Sequence, residues 1–166
     1  MRRFVASIGG LALGVALSQF PEYAQQYAQR LGGAVNELRI LTEEFDRQAA
    51  AASLTRDEAI IRYQQAGDGF LAGRGASMER TFDRYAMLST TLADLRGAGA
   101  AERFALMPRL IDTEIGSQTL ADFKPAIPVT VEGVLYAGAG FILGYGLVSA
   151  LMRFFALPFR RRYPVR

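Results

Sequence analysis

The chain lacks two residue types on which much protein chemistry depends, since it contains no cysteine and no histidine. Their absence excludes disulfide bonds, zinc and iron–sulfur sites with Cys or His ligands, haem ligation by histidine, and the histidine base of a hydrolytic triad. Lys124 is the only lysine and precedes a proline, so no nucleophile–base pair is evident. We therefore expect a non-enzymatic protein without a cofactor.

The carboxylates also fail to predict a metal site. Glu43, Glu44 and Asp46 cluster, and hard cations bind such oxygens. However, Glu43 lies one helical turn before Arg47, and Asp46 is adjacent to the same arginine. We therefore interpret the cluster as exposed ion pairs on a helix surface.

Long apolar stretches occur only near the two ends of the chain, at residues 4–20 and 129–152. Each has about the 17 to 25 residues needed to cross a hydrocarbon core of ~30 Å. We therefore predict a membrane protein with two transmembrane helices. The predicted segments are a short N-terminal tip with the first transmembrane helix (residues 1–20), a central domain (21–128), a second transmembrane helix (129–152) and a basic C-terminal tail (153–166).

The excess of positive charge lies on the terminal side of each apolar stretch. Arg2 and Arg3 precede the first and five arginines follow the second, whereas residues 21–128 hold 12 Lys/Arg against 15 Asp/Glu. The positive-inside rule then predicts a bacterial inner-membrane protein with both termini cytoplasmic and the central domain periplasmic. Such juxtamembrane charge predicts contact with anionic lipids rather than with nucleic acid.

The first stretch also has features of a secretory signal peptide. Arg2 and Arg3 would form the basic region, and Ala16-Leu17-Ser18 would fit a cleavage site. We expect the segment to be retained as a membrane anchor.

The central domain has the apolar spacing of helices. Over residues 21–52 the apolar positions recur every three or four residues, at Tyr27, Leu31, Ala34, Leu38, Leu41 and Phe45, with Gln48 as a polar interruption. A second helix is predicted to start at Thr55, whose side chain and that of Glu58 have the spacing of a capping box.

A third helix shows a heptad pattern in two adjacent rows: Leu71, Met78, Tyr85 and Leu92, with Gly75, Phe82, Ser89 and Leu95. Gly67-Asp68-Gly69 before it predicts a turn between helices rather than a phosphate-binding loop. The prediction is an all-α fold in which the two spans flank an antiparallel, coiled-coil-like helical hairpin. Short helices at residues 101–107 and 113–120 and an extended connector at 122–128 return the chain to the second span, which Thr130 can cap.

Two sequence blocks resemble a known family. They are Gln19-Phe20-Pro21-Glu22-Tyr23, with residues 26–33 and 37–38 after it, and Phe123-Lys124-Pro125-Ala126-Ile127-Pro128-Val129-Thr130 with Glu132. Together they resemble the bacterial family called domain of unknown function 2937. The resemblance covers essentially the whole chain and implies the two-span topology, and it implies no activity and no catalytic residue.

These blocks lie where the chain leaves and re-enters the predicted membrane. We predict that they form one collar at the outer leaflet, in which amphipathic side chains anchor the helices. It either fixes the central domain at the membrane or docks another membrane protein. The collar residues are Gln19, Tyr23, Gln26, Tyr27, Arg30, Lys124, Pro125, Pro128 and Glu132.

Each span also contains a GxxxG motif, at Gly10 and Gly14 and at Gly140 and Gly144. This spacing places two glycines one turn apart and allows close approach of two helices. The motif predicts helix packing within one chain or between copies, and it is also compatible with no packing role.

We expect a structural or assembly protein that self-associates or serves as an accessory subunit of a larger membrane complex. The central domain carries more large apolar residues than a two-helix hairpin covers, at Ile60, Ile61, Phe104, Leu106, Leu110 and Ile111. The alternative is a periplasmic sensing or tethering module that binds a soluble partner through the hairpin.

Overall fold

The structure is a computed structural model and describes residues 1–106, 108, 114–127 and 129–156. Regular structure in these residues is helical throughout, which confirms the predicted all-α class. The helices are α1 (Arg2–Ser18), α2 (Phe20–Ala51), α3 (Arg56–Gln64), α4 (Gly69–Gly97), α5 (Ala100–Ala105), α6 (Glu114–Ala121) and α7 (Val131–Ala156).

The chain divides into two compact units. The terminal unit consists of Met1–Gln25 and Leu120–Arg166, and the central unit consists of Gln26–Thr119. The central unit lies within the segment 21–128 that the sequence predicts as one domain. Of the collar residues, Gln26, Tyr27 and Arg30 therefore lie in the central unit, whereas Gln19, Tyr23, Lys124, Pro125 and Glu132 lie in the terminal unit.

Two helical stretches are long and apolar enough to cross a membrane. The first begins with α1 and continues through α2, and the second is Val131–Phe155 in α7. Apart from Arg2 and Arg3, α1 contains no charged residue. These helices are the predicted candidate spans.

The ends of the candidate spans follow from local chemistry. α1 ends at Ser18 and α2 begins at Phe20, which places Pro21 in the first turn of α2, where its missing N–H leaves no intrahelical bond unmade. At the start of α7, Thr130 Oγ1 accepts a hydrogen bond from Gly133 N at 3.1 Å. The predicted cap of the second span is thus confirmed.

In the central unit, the turn between α2 and α3 is a Schellman motif. Ser53 is left-handed with φ 59°, Ser53 N donates to Ala50 O at 2.9 Å, and Leu54 N donates to Ala49 O at 2.9 Å. Thr55 then caps α3 in the predicted capping box, because Thr55 Oγ1 accepts from Glu58 N while Glu58 Oε2 accepts from Thr55 N.

A second turn connects α3 to α4 and confirms the interpretation of the glycine-rich run. Gly67 has φ +70°, a conformation that glycine adopts without strain. Asp68 caps α4, since its Oδ1 accepts from Phe70 N at 2.7 Å and from Leu71 N at 3.4 Å.

α2 and α4 run antiparallel in the central unit. The rings of Phe45 and Phe82 lie 5.5 Å apart, and a Cβ at Gly32 would lie 3.5 Å from the guanidinium of Arg96, so residue numbers rise on one helix as they fall on the other. α3 closes the end of this hairpin. The buried cluster there consists of Phe45, Ala49, Ala59, Ile60 and Met78, with Leu54, Tyr63 and Phe82 packed against it.

The predicted register of α2 is wrong at two positions in its second half, whereas Phe45 is buried as predicted. Thr42 is buried and Leu41 is 54% exposed, and Ala49 is buried in place of Gln48. Thr42 tolerates burial because its hydroxyl donates to Arg39 O at 2.9 Å, which satisfies the polar group within its own helix. Apolar character alone had favoured the neighbouring leucine.

The heptad rows of α4 are only partly buried. Met78, Leu92 and Leu95 are buried, but Leu71 is 37% exposed. Leu88 is buried at 4% exposure and takes the position that the sequence assigned to Ser89.

The return segment contains α5 and α6, which start and end within two residues of their predicted bounds. Phe104 is 41% exposed. Leu110 and Ile111 lie outside the described residues.

Candidate functional site

Two glycines of α7 lie very close to the backbone of α1. A Cβ built at Gly140 would lie 2.7 Å from the carbonyl oxygen of Leu13, and one at Gly144 would lie 2.6 Å from that of Gly9. Side chains do not tolerate such distances to backbone atoms. Glycine at these positions therefore permits the observed separation of the two helices.

The glycines of α1 make the reciprocal contacts. A Cβ at Gly10 would lie 2.8 Å from the carbonyl oxygen of Phe141, and one at Gly14 would lie 2.8 Å from that of Ala137. The later residue of α1 contacts the earlier residue of α7, so the helices are antiparallel. The two GxxxG motifs face each other within one chain.

The buried and the exposed residues of α1 differ in size. Its buried residues are small and spaced by four: Ala6, Gly10, Gly14 and Ser18. Four of its large apolar residues point away from the unit, with exposures of 69% at Phe4, 52% at Ile8, 63% at Leu11 and 56% at Val15, whereas Leu13 and Leu17 are half-buried. Small residues at the helix contact and large ones outside it are the arrangement expected of helices that pack in lipid.

The motif does not identify every glycine in the contact. Gly9 also contacts α7, through the side chain of Val148, although it lies outside the GxxxG spacing. Gly138 and Gly146 have open space where a Cβ would stand. The spacing of the glycines does not show which of them contact the other helix, because that depends on which face of the helix meets its neighbour.

At the other end of α1, the two family blocks contact each other. Gln19 Oε1 accepts a hydrogen bond from Ala126 N at 3.1 Å, across more than a hundred residues of sequence. Gln19 Nε2 also donates to Ser18 Oγ at 3.2 Å. The predicted collar residue Gln19 thus joins the end of the first helix to the connector before the second.

Two aromatic pairs extend this contact. The ring of Tyr23 lies 6.0 Å from that of Phe123 in an edge-on arrangement, and the ring of Phe20 lies 5.4 Å from that of Tyr136. Phe20 and Tyr23 are 3% and 5% exposed. Sequence analysis missed Phe20, Phe123 and Tyr136 as collar residues, and the signal available was their aromatic character within or beside the two blocks.

The other predicted collar residues occupy different environments. Lys124 and Pro125 are exposed, and Glu132 is half-buried with its Oε1 atom inaccessible. Pro128 lies outside the described residues. In the central unit, Tyr27 is fully buried, whereas Gln26 and Arg30 are half-buried.

The acidic cluster of the central unit forms ion pairs, but not the ones predicted. Asp46 accepts two hydrogen bonds from Arg56, at 2.9 Å from Nε and 2.6 Å from Nη2. The hydrogen bond from Arg56 holds the pKa of Asp46 below its usual value. The same guanidinium lies 4.0 Å from the ring centroid of Phe82.

The predicted pair of Glu43 with Arg47 is wrong. Glu43 binds Arg39 at 2.7 Å, and Arg47 binds Glu44. Both pairs follow the helical spacing of three or four residues and are solvent-exposed, so each contributes little to stability. Among the described residues, no group of three or more carboxylates is placed to hold a metal ion.

The end of the α2–α4 hairpin carries an apolar cavity of about 440 Å³. Its apolar lining comes from all three helices and includes Phe45, Ala49, Leu54, Tyr63 and Leu71, while Gln48 and Arg62 provide polar groups. Phe70 precedes the lining residue Leu71 and is 83% exposed. An exposed phenylalanine thus directly precedes, in the chain, a residue that lines an open apolar cavity, a combination that the sequence pattern did not reveal.

Comparison with protein families gives a match that covers nearly the whole chain. Residues 1–161 match the family described as protein of unknown function DUF2937. The chain belongs to this family. The membership that the two sequence blocks predicted is thus confirmed.

Comparison with curated proteins and with solved structures gives no match. The family description assigns no activity.

Proposed function

We propose that this protein is a non-enzymatic assembly protein of the bacterial inner membrane that self-associates through the end of its central unit. The observation that carries the proposal is that Phe70, which is 83% exposed, directly precedes Leu71 in the lining of the apolar cavity. A large aromatic side chain that fills an apolar pocket is the usual energetic centre of a protein interface.

A second copy of the chain is the partner that fits this surface best. Phe70 is the residue next to Leu71 of the cavity lining, and in the proposed dimer a two-fold axis places each phenylalanine in the other copy's cavity. The cavity volume of about 440 Å³ is ample for one phenyl ring. The same contact would then form twice across the axis. This doubles the buried apolar area although each copy uses a single surface.

The packing of the terminal unit supports this assignment. The glycine faces of α1 and α7 are occupied by each other, so they are not available for contact between copies. Association would then depend on the central unit, while the helix pair serves as a membrane anchor.

We expect the Phe70→Glu variant to lose self-association. Glutamate in the first turn of α4 favours the helix, so the change places a charge in the proposed contact without weakening the fold. Met87→Glu is the matched control, because Met87 is on the same helix and 59% exposed but lies away from the cavity. The measurement is the mass of the complex extracted in mild detergent, together with crosslinking in native membranes.

Each result of that measurement bears on the proposal. A wild-type homo-oligomer that only Phe70→Glu dissociates supports it. A defined set of other subunits would indicate an accessory role instead, and a soluble partner on the central unit would indicate the tethering alternative. A monomeric wild type without neighbours contradicts the proposal.

The proposed topology has its own test. A reporter that is active only in the cytoplasm should be active when fused to either terminus, and a tag inserted near Gly67 should be accessible from the periplasm. The expectation rests on the arginines outside the spans. Fusions to the two termini that report opposite sides would exclude a two-span arrangement, and two periplasmic termini would reverse the orientation.

A further inference from the structure

The start of α1 and the end of α7 together form a basic cavity. It has a volume of about 790 Å³, and Arg2, Arg3 and Arg153 all line it. Arg2 and Arg3 are separated from Arg153 by nearly the whole sequence, and the antiparallel helix pair brings them to one end. The cavity therefore concentrates three guanidinium groups from two helices.

These arginines have no acidic residue near them in the sequence. Residues 1–21 contain no aspartate or glutamate, and Glu132 is the only one after Asp122. Glu132 lies in the first turn of α7 and Arg153 in its last. At 1.5 Å per residue, that separation is about 30 Å along the helix, so Glu132 does not neutralise Arg153.

Hydroxyl groups complete the polar lining. Tyr145, Ser149 and Arg153 follow each other at intervals of four on α7, so they lie along one helix face, and all three line the cavity. Guanidinium and hydroxyl groups are the side-chain donors that bind phosphate oxygens. The lining is therefore suited to a phosphate group.

A second, apolar cavity adjoins the basic one. It has a volume of about 420 Å³ and shares Arg2 and Met152 with the first, and its remaining lining is Val148, Leu151 and Phe155. A free phosphate would use only the basic cavity. A molecule with both a phosphate and a hydrocarbon chain would occupy both.

We propose that this end of the helix pair is a binding site for an anionic phospholipid. The phosphate is bound by Arg2, Arg3 and Arg153 with hydroxyl donors from α7, and an acyl chain lies along the apolar cavity. The site is specific in position, unlike diffuse attraction between a basic tail and a membrane surface. It depends on the α1–α7 pair alone and does not rest on self-association of the central unit.

The test uses the full chain reconstituted in phosphatidylcholine bilayers with spin-labelled phosphatidylglycerol or, for comparison, spin-labelled phosphatidylcholine. Wild-type protein should immobilise the anionic lipid preferentially. One arginine near a membrane surface contributes enough that Arg153→Gln should lower this preference about three- to fivefold. The loss should be larger when Arg2 and Arg3 are replaced as well.

A second variant separates a defined site from diffuse charge. Gly146 lines the basic cavity and has open space at its Cβ, so Gly146→Phe should place a phenyl ring in the cavity, obstruct the lipid and remove the preference with every arginine retained. Gly138→Phe is the control, because Gly138 has the same open space on the same helix but does not line the cavity. Circular dichroism verifies that both variants keep their helices.

The outcomes are distinct. Loss of preference in Gly146→Phe and Arg153→Gln, with Gly138→Phe unchanged, supports the site. A preference that survives Gly146→Phe would show diffuse attraction and would overturn it, as would a wild type without preference. Displacement of the labelled lipid by micromolar inorganic phosphate would identify a site for a soluble anion and would also refute the lipid.

Discussion

Replacing Gly140 and Gly144 together by isoleucine is expected to separate α1 from α7. A Cβ at these positions would lie 2.7 and 2.6 Å from backbone oxygens of α1, and isoleucine adds further atoms beyond it. Overpacking costs about 1–3 kcal/mol at a single site, and here the obstacle at two sites is backbone that cannot rotate away. Hydrophobicity rises at the same time, so both helices should stay in the membrane while their contact is lost.

A designed disulfide measures this contact directly. Cβ atoms of residues 9 and 148 would lie 3.3 Å apart, just below the separation of about 3.5–4.5 Å in disulfides, and the natural chain has no cysteine to interfere. Gly9→Cys with Val148→Cys removes the valine methyl that crowds residue 9. Oxidation should then give an intramolecular crosslink, visible as a faster band on a denaturing gel, and the double isoleucine variant should lose it.

Gly138 and Gly146 provide the matched control. Both lie in α7 with nothing within 4 Å of a built Cβ, so the same glycine-to-isoleucine changes there should leave the crosslink intact. A crosslink that forms between two chains instead of within one would show that the glycine faces join copies. A crosslink unaffected by isoleucine at positions 140 and 144 would contradict the close approach itself.

The local features of this fold were predictable because their causes are local. The two predicted helix caps are formed within four residues, by Thr55 with Glu58 and by Thr130 with Gly133. Both partners of each cap therefore lie in one short stretch of sequence. The register of α2 was less predictable. Burial of Thr42 depends on which side of the helix meets its neighbours, and a hydroxyl that bonds its own backbone removes the penalty that polarity would otherwise impose.

The contacts in the candidate sites were also less predictable, because they join residues that are far apart in the sequence. Glycine spacing identified the residues that permit close approach but left the partner helix open, since packing within a chain and between chains requires the same motif. The contacts of Tyr23 with Phe123 and of Gln19 with Ala126 join residues about a hundred positions apart. Such pairs are fixed by tertiary packing, so the sequence identified the blocks without showing how they meet.

Removing the Phe45 ring is expected to give the largest loss of stability in the central unit. Phe45 is 8% exposed, and its ring lies 5.5 Å from that of Phe82 and 6.4 Å from that of Tyr63. It therefore joins α2 to both α3 and α4. Phenylalanine-to-alanine changes in a core cost about 3–5 kcal/mol, a large part of the stability of a domain of this size.

The measurement uses residues 21–122 expressed without the spans, which we expect to be strongly helical by circular dichroism. Urea unfolding should show the full loss for Phe45→Ala, whereas Phe70→Ala should change stability by less than about 0.5 kcal/mol because that ring is 83% exposed. The two variants delete the same atoms, so their difference reports burial alone. Equal effects would contradict the core assignment, and a disordered or β-rich fragment would contradict an independently folded helical unit.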